Sequence, residues 1–511
     1  MSAMRLDELL RGIAAPSRGD IMVSGLTQDS HAVRAGDAFV ALAGAKHHGI
    51  EFAPQAVEHG AATILAEPPV PENLAAPAAR PLGPLRRSLR HPASAVRFPI
   101  PVIRIDDLRL RLGEIAARFF GDPSAALTVV GVTGTSGKTS IVQLLAQAFA
   151  QLGRRAATIG TLGAGLHCSL HAGERTTPDV IRVHGLMAEF RDAGATNVAM
   201  EVSSHALDQH RVDGIHFDVA VFTNLTRDHL DYHGTMEAYG LAKAKLFAWP
   251  NLSAAVINVD DAFGRELAGR IPGDTRLLRC GIDTADADVQ ATDAHTHSDG
   301  IDFHLVTPWG EAAVHSSLLG RFNVANLLAV VGVLGALDVP FAQIRDALEA
   351  LRPINGRMNR LGGGASPLVV VDYSHKPDAL EQVLAALRAH CDGTLICVFG
   401  CGGERDAGKR PIMGAIAERM ADAVIVTDDN PRGEDGDAIV AQIVAGMHAP
   451  ERATVERDRA RAIGIAIAQA RAGDVVLIAG KGHETYQEVG GVKHPFDDLQ
   501  VARATLEAHP C

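Results

Sequence analysis

The sequence predicts an α/β protein of three domains: a small mixed N-terminal domain, a central domain around a mainly parallel sheet, and a doubly wound C-terminal domain. Three observations predict this. The chain of 511 residues exceeds what one ordinary core holds, so several domains are expected. From about residue 106, short buried-strand patterns alternate with helical ones, as in a parallel sheet covered on both faces. Polar and glycine-rich clusters follow those strands, at the ends where doubly wound folds collect ligands.

The expected boundaries are 1–105, 106–352 and 353–511. In the first domain, Val33 to Gly44 reads as a turn followed by an apolar strand. Residues 68–101, rich in proline, alanine and arginine, read as an exposed connector. In the second, Leu108 to Phe120 has helical spacing, Leu127 to Val132 is a short apolar strand, and Thr139 to Leu152 an amphipathic helix. Asn197–Glu201, Val219–Thr223 and Ala254–Asn258 are further buried strands. In the third, Leu368–Asp372, Thr394–Phe399, Ala423–Thr427 and Val475–Ala479 form a Rossmann-like series.

Composition excludes more than it identifies. With 47% apolar residues the chain can bury large cores, and a net charge of -12 without like-charge blocks argues against a nucleic-acid surface. No run of about 18 apolar residues occurs, so no membrane insertion is expected. Met1 to Pro16 has neither the basic start nor the apolar run of a signal peptide, and Cys168, Cys280, Cys391, Cys397, Cys401 and Cys511 form no paired metal framework. A cytoplasmic protein with reduced thiols is expected.

The strongest local signal is Leu127–Ser140, a strand running into Gly134-Thr135-Ser136-Gly137-Lys138-Thr139 and then a helix. Glycines let successive backbone N–H groups turn around phosphate oxygens, and the helix N-terminus adds its positive end. Lys138 suits the β- and γ-phosphates of ATP, and the Thr139 hydroxyl suits Mg²⁺. The usual spacing asks for glycine at 132, where this chain has Val132, so the loop is a variant. By itself such a loop serves a ligase, a motor, a switch or a kinase.

Two further clusters narrow the choice. Glu201 ends a buried strand and is a natural Mg²⁺ ligand; Ser203, Ser204 and His205 follow it. Thr223-Asn224-Leu225-Thr226-Arg227-Asp228-His229 follows the next strand as a dense polar loop, making His229 a functional candidate and placing Asn224 with the nucleotide. His205 and His233 stay open between structural and functional roles. Lys243 and Lys245, read by their chemistry alone, lie on a solvated cationic helix face.

GTSGKT, EVSSHAL, TNLTRDHLDYHG and AKAKLF, in this order, together with GRFNVANLLA, NGRM, VVDYSHKPDAL and GCGGERDAGKRP, resemble the Mur ligases over nearly the whole chain. These enzymes add amino acids to the UDP-N-acetylmuramoyl precursor of peptidoglycan. The resemblance implies two Mg²⁺ ions held by Thr139, Glu201, His229 and Lys243, with Lys243 carbamylated by CO₂ into a carboxylate-like ligand. Lys138, Glu201, His229 and Lys243 form the implied catalytic set, and Asn323, Arg357 and Asp372 match nucleotide-side positions. Leu26, Ser30 and His47 lie in loops resembling uridine-binding ones, and Thr176, Thr177, Ser203, Gln209 and Arg211 match sugar–peptide positions. In the loop after Asp372, relatives more often carry alanine and threonine where this chain has Ser374 and Lys376.

The amine is read from the third domain. Asp429-Asn430-Pro431-Arg432 follows a buried strand as a rigid turn, and Arg432, with Arg405, offers planar donors suited to a carboxylate. Gly480 permits close backbone approach, and Glu484 suits an ammonium. Together they would take the distal end of meso-2,6-diaminopimelate; in the family, members that add diaminopimelate carry D-N-P-R. The expected reaction joins that amine to UDP-N-acetylmuramoyl-L-alanyl-D-glutamate through an acyl phosphate, at the expense of ATP, in a monomer. The alternatives are L-lysine as acceptor, a folate-extending relative, or a phosphate-loop motor or regulatory ATPase.

Overall fold

The computed structural model describes residues 3–44, 47–70, 98–173, 175–297 and 299–508. Most of the 68–101 connector, Ala45, Lys46 and Cys511 therefore lie outside the described residues. The chain forms two compact units. The first comprises Met1–Gly134, Arg154–Ala220 and Arg227–Ser253; the second comprises Thr135–Gly153, Val221–Thr226 and Ala254–Cys511.

The first unit opens with a parallel sheet in the order Leu26–Thr27, Ala38–Ala41, Thr63–Ala66, Val102–Arg104. Side chains alternate across a strand. Phe39, Ala41, Ile64 and Ala66 face one core with Ile50 and Ala53, whereas Ala38, Val40 and Leu65 face another with Leu6, Leu9 and Leu112. The helix Leu108–Phe120 appears with the expected bounds, burying Leu108, Leu112, Ile115, Ala116 and Phe119 on one face. It ends on Gly121, whose φ of 71° suits a residue without Cβ. A further set of strands runs Ser169–His171, Gly163–Leu166, Ala156–Gly160, Asn197–Glu201, Thr128–Thr133. The last three are parallel, and Glu201 pairs with Val132.

The second unit contains the helix Lys138–Gln151 and the parallel strands Ala254–Asn258, Arg276–Ile282 and Val289–His297. Gly300–Thr307 and Gly310–Ser316 continue the sheet antiparallel, an extension the sequence reading did not anticipate. Buried Ile301, Phe303 and Leu305 alternate with Asp302 and His304, and Glu311 and His315 interrupt the last strand, so neither shows the continuous apolar run of a buried parallel strand.

The C-terminal part of this unit carries a six-stranded sheet in the order Asn359–Gly362, Leu368–Asp372, Val475–Ala479, Leu395–Phe399, Ala423–Val426, Thr454–Val455. All pairs are parallel except the first. Val370, Leu477, Cys397 and Val426 enter one helix-covered core; Val371, Ile478, Val398 and Ile425 enter the other. The expected strands are therefore present, each within a residue of its expected bounds.

Arg459 and Asp498 form a bidentate pair, both contacts 2.7 Å, with both side chains fully buried. Asp498→Ala would leave the guanidinium buried, with the Asp428 and Ala479 carbonyls as its remaining hydrogen-bond partners among the described residues. A loss of about 3–5 kcal/mol in unfolding free energy is expected by chemical denaturation. A loss below about 1 kcal/mol would mean that the site admits water readily.

Candidate active site

The phosphate loop is braced from one side. Asn224 Oδ1 accepts from Ser136 N at 3.0 Å, and Thr223 Oγ1 donates to Ser136 O at 2.6 Å. Thr226 N donates to Thr135 Oγ1 at 3.0 Å. Asn224 thus holds the loop's backbone in the described conformation. Gly137 begins the helix at φ 86°, and a Cβ there would lie 2.8 Å from Asn326 Oδ1. Lys138 Nζ donates to Thr135 O at 2.9 Å, and the Thr139 side chain is buried. Asn326 Nδ2 in turn donates to Asn323 Oδ1 at 2.8 Å, while Asn323 Nδ2 donates to Leu319 O. The expected nucleotide position Asn323 therefore sits in a pair whose other member, Asn326, packs against the phosphate loop. The sequence reading missed Asn326, although the three-residue spacing of two asparagines on one helix was visible.

In the first unit, the strand Asn197–Glu201 delivers Glu201 with 1% exposure. Its Oε1 accepts from Thr161 N at 2.7 Å and its Oε2 from the Thr161 hydroxyl at 3.3 Å. Gly160 makes room, because a Cβ there would meet Glu201 Oε1 at 2.3 Å. Thr177 Oγ1 donates to the Glu201 carbonyl at 2.8 Å.

Close to this strand end lies a cluster of rings. His205 is centred 4.7 Å from His229, 4.3 Å from Tyr232 and 5.4 Å from His233. Burial, and then the charge of His233, hold His205 below the usual histidine range; burial does the same to His233. His229 adopts a left-handed φ of 53°, lies 3.4 Å from Asp228 and 6.1 Å from the Tyr239 ring. Lys243 reaches into the same region. It is 1% exposed, its Nζ donates to Gly134 O at 2.8 Å and lies 4.2 Å from the Tyr239 ring centre. Lys245 instead pairs with Asp208 at 3.0 Å on the surface. The single cationic face read from the sequence is thereby divided: one lysine is buried against the phosphate loop's first glycine, the other solvated. Tyr239, four residues before Lys243, was not anticipated.

Arg109, Arg175 and Arg211 line a cavity of about 130 Å³ with Gln28 and Gln209. Arg211 donates to Gln209 Oε1 at 2.5 Å and to Thr177 O at 3.1 Å. Of the expected UDP-sugar–peptide residues, Gln209 and Arg211 line this cavity; Leu26, Ser30, His47, Thr176, Thr177 and Ser203 do not. Leu26 is a core residue, Ser30 Oγ donates to Gln55 Oε1 at 2.8 Å, and His47 is exposed beside Glu51 at 3.2 Å. Thr176 shares a 3.1 Å hydroxyl contact with Thr161, and Ser203 caps a short helix through Ala206 N.

In the second unit, Asp372 ends its strand and accepts from Met358 N at 2.9 Å. Burial raises its carboxyl pKa, against the pull of Arg357. Arg357 lies over the Tyr373 ring at 4.8 Å, and the rings of His375 and His483 flank Tyr373 at 4.5 and 4.8 Å. Burial pushes His375 down to about 4, so it is neutral at physiological pH.

The Asp429–Arg432 turn folds against the hairpin Tyr486–Val489/Val492–Pro495. Arg432 N donates to Glu488 O at 2.9 Å, and Gly490 N donates to Arg432 O at 2.7 Å. Arg432 donates to Gly403 O at 2.7 Å and faces Glu488 at 3.6 Å. Asp429 is buried, which raises its carboxyl pKa, and a Cβ on Gly480 would meet its Oδ2 at 2.6 Å. Asn430 Nδ2 donates to Glu484 Oε2 at 2.8 Å. Arg405 is exposed and, among the described residues, donates to the neighbouring Glu404 O at 3.3 Å. The structure thus gathers Asp429, Asn430, Arg432, Gly480 and Glu484 in one place. It adds Lys481, fully buried, which no sequence pattern had singled out.

No three His, Cys, Asp or Glu side chains converge as a metal cage among the described residues, and no described helix is long and apolar enough to cross a membrane.

A strand, phosphate loop and helix, a buried strand-end carboxylate, and a doubly wound domain with a charged turn at its strand ends are the parts expected of an ATP-dependent ligase. Profiles described as Mur ligase family catalytic domain, Mur ligase middle domain, and Mur ligase glutamate ligase domain match residues 22–120, 132–334 and 356–482. The chain belongs to the Mur ligase family. It is 56% identical over 510 residues to a protein of Xanthomonas oryzae pv. oryzae named UDP-N-acetylmuramoyl-L-alanyl-D-glutamate–2,6-diaminopimelate ligase, covering 99% of this chain and 97% of that one. A Pseudomonas aeruginosa protein of the same name is 50% identical over 489 residues, covering 96% of each. A solved structure described as the same ligase is 35% identical, with a TM-score of 0.70 and 99% of each chain covered. The fold also matches a D-alanyl-D-alanyl-adding ligase from Acinetobacter baumannii at 18% identity, TM-score 0.62 and 99% coverage of each chain.

Proposed function

We infer that this protein joins meso-2,6-diaminopimelate to UDP-N-acetylmuramoyl-L-alanyl-D-glutamate, using ATP, to build the tripeptide precursor of peptidoglycan. The observation that carries this reading is the near-full-length identity of 50–57% to relatives that bear the ligase's name. The turn Asp429–Arg432, set against Glu484, supports diaminopimelate over lysine as the amine.

The chemistry follows from charge and position. The acid's carboxylate attacks the γ-phosphorus, the bond to the ADP oxygen breaks, and an acyl phosphate forms. The amine nitrogen then attacks the acyl carbon, loses a proton, and phosphate leaves. Lys138 and the loop's N–H groups neutralise phosphate charge, and Arg357 and Asp372 hold the nucleotide side. Arg211 and Gln209 position the acid, while Arg432 and Glu484 position the amine's distal carboxylate and ammonium.

Each proposed donor has chemistry that suits magnesium. Glu201 is a buried carboxylate oriented by two bonds from Thr161, Thr139 offers a hydroxyl, and Mg²⁺ takes its remaining ligands from water and phosphates rather than from a closed protein cage. Glu201, His229 and Lys243, the last as a carbamate, are the proposed ligands of the first unit for such ions, and Thr139 is the proposed ligand of the second. When bound, the ions would neutralise developing charge on the transferring phosphoryl oxygens. A cytoplasmic monomer completes the reading.

Phosphate release dependent on both the UDP-dipeptide and an amine tests the function. Preference for lysine over meso-diaminopimelate would refute the assignment of the amine, and turnover without either co-substrate would favour a motor or regulatory ATPase. Arg432→Ala is expected to raise the diaminopimelate KM about ten- to hundredfold while leaving the ATP KM nearly unchanged. Equal effects on both would mean that Arg432 serves only the turn.

A further inference from the structure

Lys481 contributes to no step above, yet its ammonium is fully buried between two groups of the amine site. Its Nζ donates to Asn430 Oδ1 at 2.9 Å and to Glu484 Oε2 at 3.2 Å, and lies 5.5 Å from the Tyr486 ring centre. A second donor meets the same oxygen: Glu488 N, on the hairpin, lies 2.9 Å from Asn430 Oδ1. The Asn430 Nδ2 group faces the Glu484 carboxylate at 2.8 Å.

An amide's orientation is usually ambiguous, because its oxygen and nitrogen look alike. Here the partners remove the ambiguity. An ammonium and a backbone N–H only donate, and a carboxylate oxygen beside a lysine only accepts. Oδ1 must therefore be the atom facing Lys481 and Glu488, and Nδ2 the atom facing Glu484. Oδ1 has two lone pairs, and these two donors engage both. Whatever meets Asn430 from the substrate side then meets an N–H.

We propose that Lys481 is a positioning residue for amine selectivity: by engaging Asn430 Oδ1 it leaves Asn430 able only to donate to the acceptor amine, so that the site takes a distal carboxylate there and rejects an ammonium. The same cation engages Glu484 Oε2, so an incoming ammonium is received by Oε1. One lysine thereby orders the two halves of the recognition, donor beside Arg432 and acceptor on Glu484. The inference rests on the diaminopimelate reading above.

The test is steady-state kinetics on the full-length enzyme with meso-diaminopimelate and with L-lysine. Lys481→Met is expected to raise the diaminopimelate KM about ten- to hundredfold, with kcat and the ATP KM changed far less, and to narrow the preference over lysine. If Lys481 acts through Asn430, the penalty of Lys481→Met shrinks in an Asn430→Ala background; penalties that multiply in full would overturn the inference. Asn430→Asp provides a near-isosteric second variant, should Lys481→Met fail to fold. It keeps the acceptors for Lys481 and Glu488 but removes the donors, so it should weaken diaminopimelate at least as much as Asn430→Ala. Wild-type affinity for diaminopimelate in Asn430→Asp would overturn the inference while leaving the proposed function standing. A wild-type enzyme that prefers lysine would overturn both.

Discussion

Lys243→Ala is expected to lower kcat by roughly 10²–10³-fold or more, the scale seen when one group that stabilises transition-state charge is removed. Lys243 is buried, 2.8 Å from the carbonyl of the phosphate loop's first glycine and beside Tyr239, whose ring is centred 6.1 Å from that of His229. A carbamate there would replace a cation with an anion where metal ions would favour it. Addition of a small carboxylate such as formate should restore part of the activity in Lys243→Ala, because the alanine leaves space for it. Lys245→Ala supplies the contrast: its partner is the surface residue Asp208, and turnover should stay near wild type. Unchanged activity in Lys243→Ala would remove the residue from the site, and a large loss without rescue would count against the carbamate.

Lys138→Ala should also cost about 10²–10³-fold in kcat, but through a different step. The lysine begins the helix Lys138–Gln151 and donates back to Thr135 O, so its charge is held at the mouth of the loop. Removing it weakens stabilisation of the transferring phosphoryl group, and the defect should appear in ADP formation during a single turnover. Binding of the UDP-dipeptide, measured by calorimetry, should hardly change, since Arg211 and Gln209, the residues proposed to position it, are untouched. A loss confined to UDP-dipeptide binding, with normal ADP formation, would contradict a role for Lys138 in phosphoryl transfer.

The order of residues along the chain made much of this legible. Periodicity placed Leu108–Phe120, and apolar runs bounded by glycine and polar residues placed Thr128–Thr133, Asn197–Glu201, Leu368–Asp372 and Val475–Ala479. These patterns are local, and buried parallel strands leave them in any sequence. The antiparallel strands Gly300–Thr307 and Gly310–Ser316 escaped because one of their faces is polar. The proposed amine site is legible as a rigid turn with an arginine, a glycine and a glutamate far apart in sequence, which the fold brings together. Arg405 reads from the sequence as a second planar donor for the carboxylate, and in the structure its side chain donates to Glu404 O.

The phosphate loop shows the division most plainly. Strand, glycines, Lys138-Thr139 and helix follow from neighbouring residues, because hydrogen bonding and left-handed backbone demand those residue types at that spacing. What braces the loop comes from far away: Asn224 and Thr223 on one side, Asn326 on another. The same holds for the lysines. Lys243 and Lys245 are two residues apart and chemically alike, yet one is buried and one solvated. Lys481 is buried with its ammonium met by oxygens of Asn430, 51 positions away, and of Glu484. Local sequence can specify the elements and the chemistry they display. Which charge is desolvated, and which amide must donate, depends on partners that only folding brings within 3 Å or so of each other.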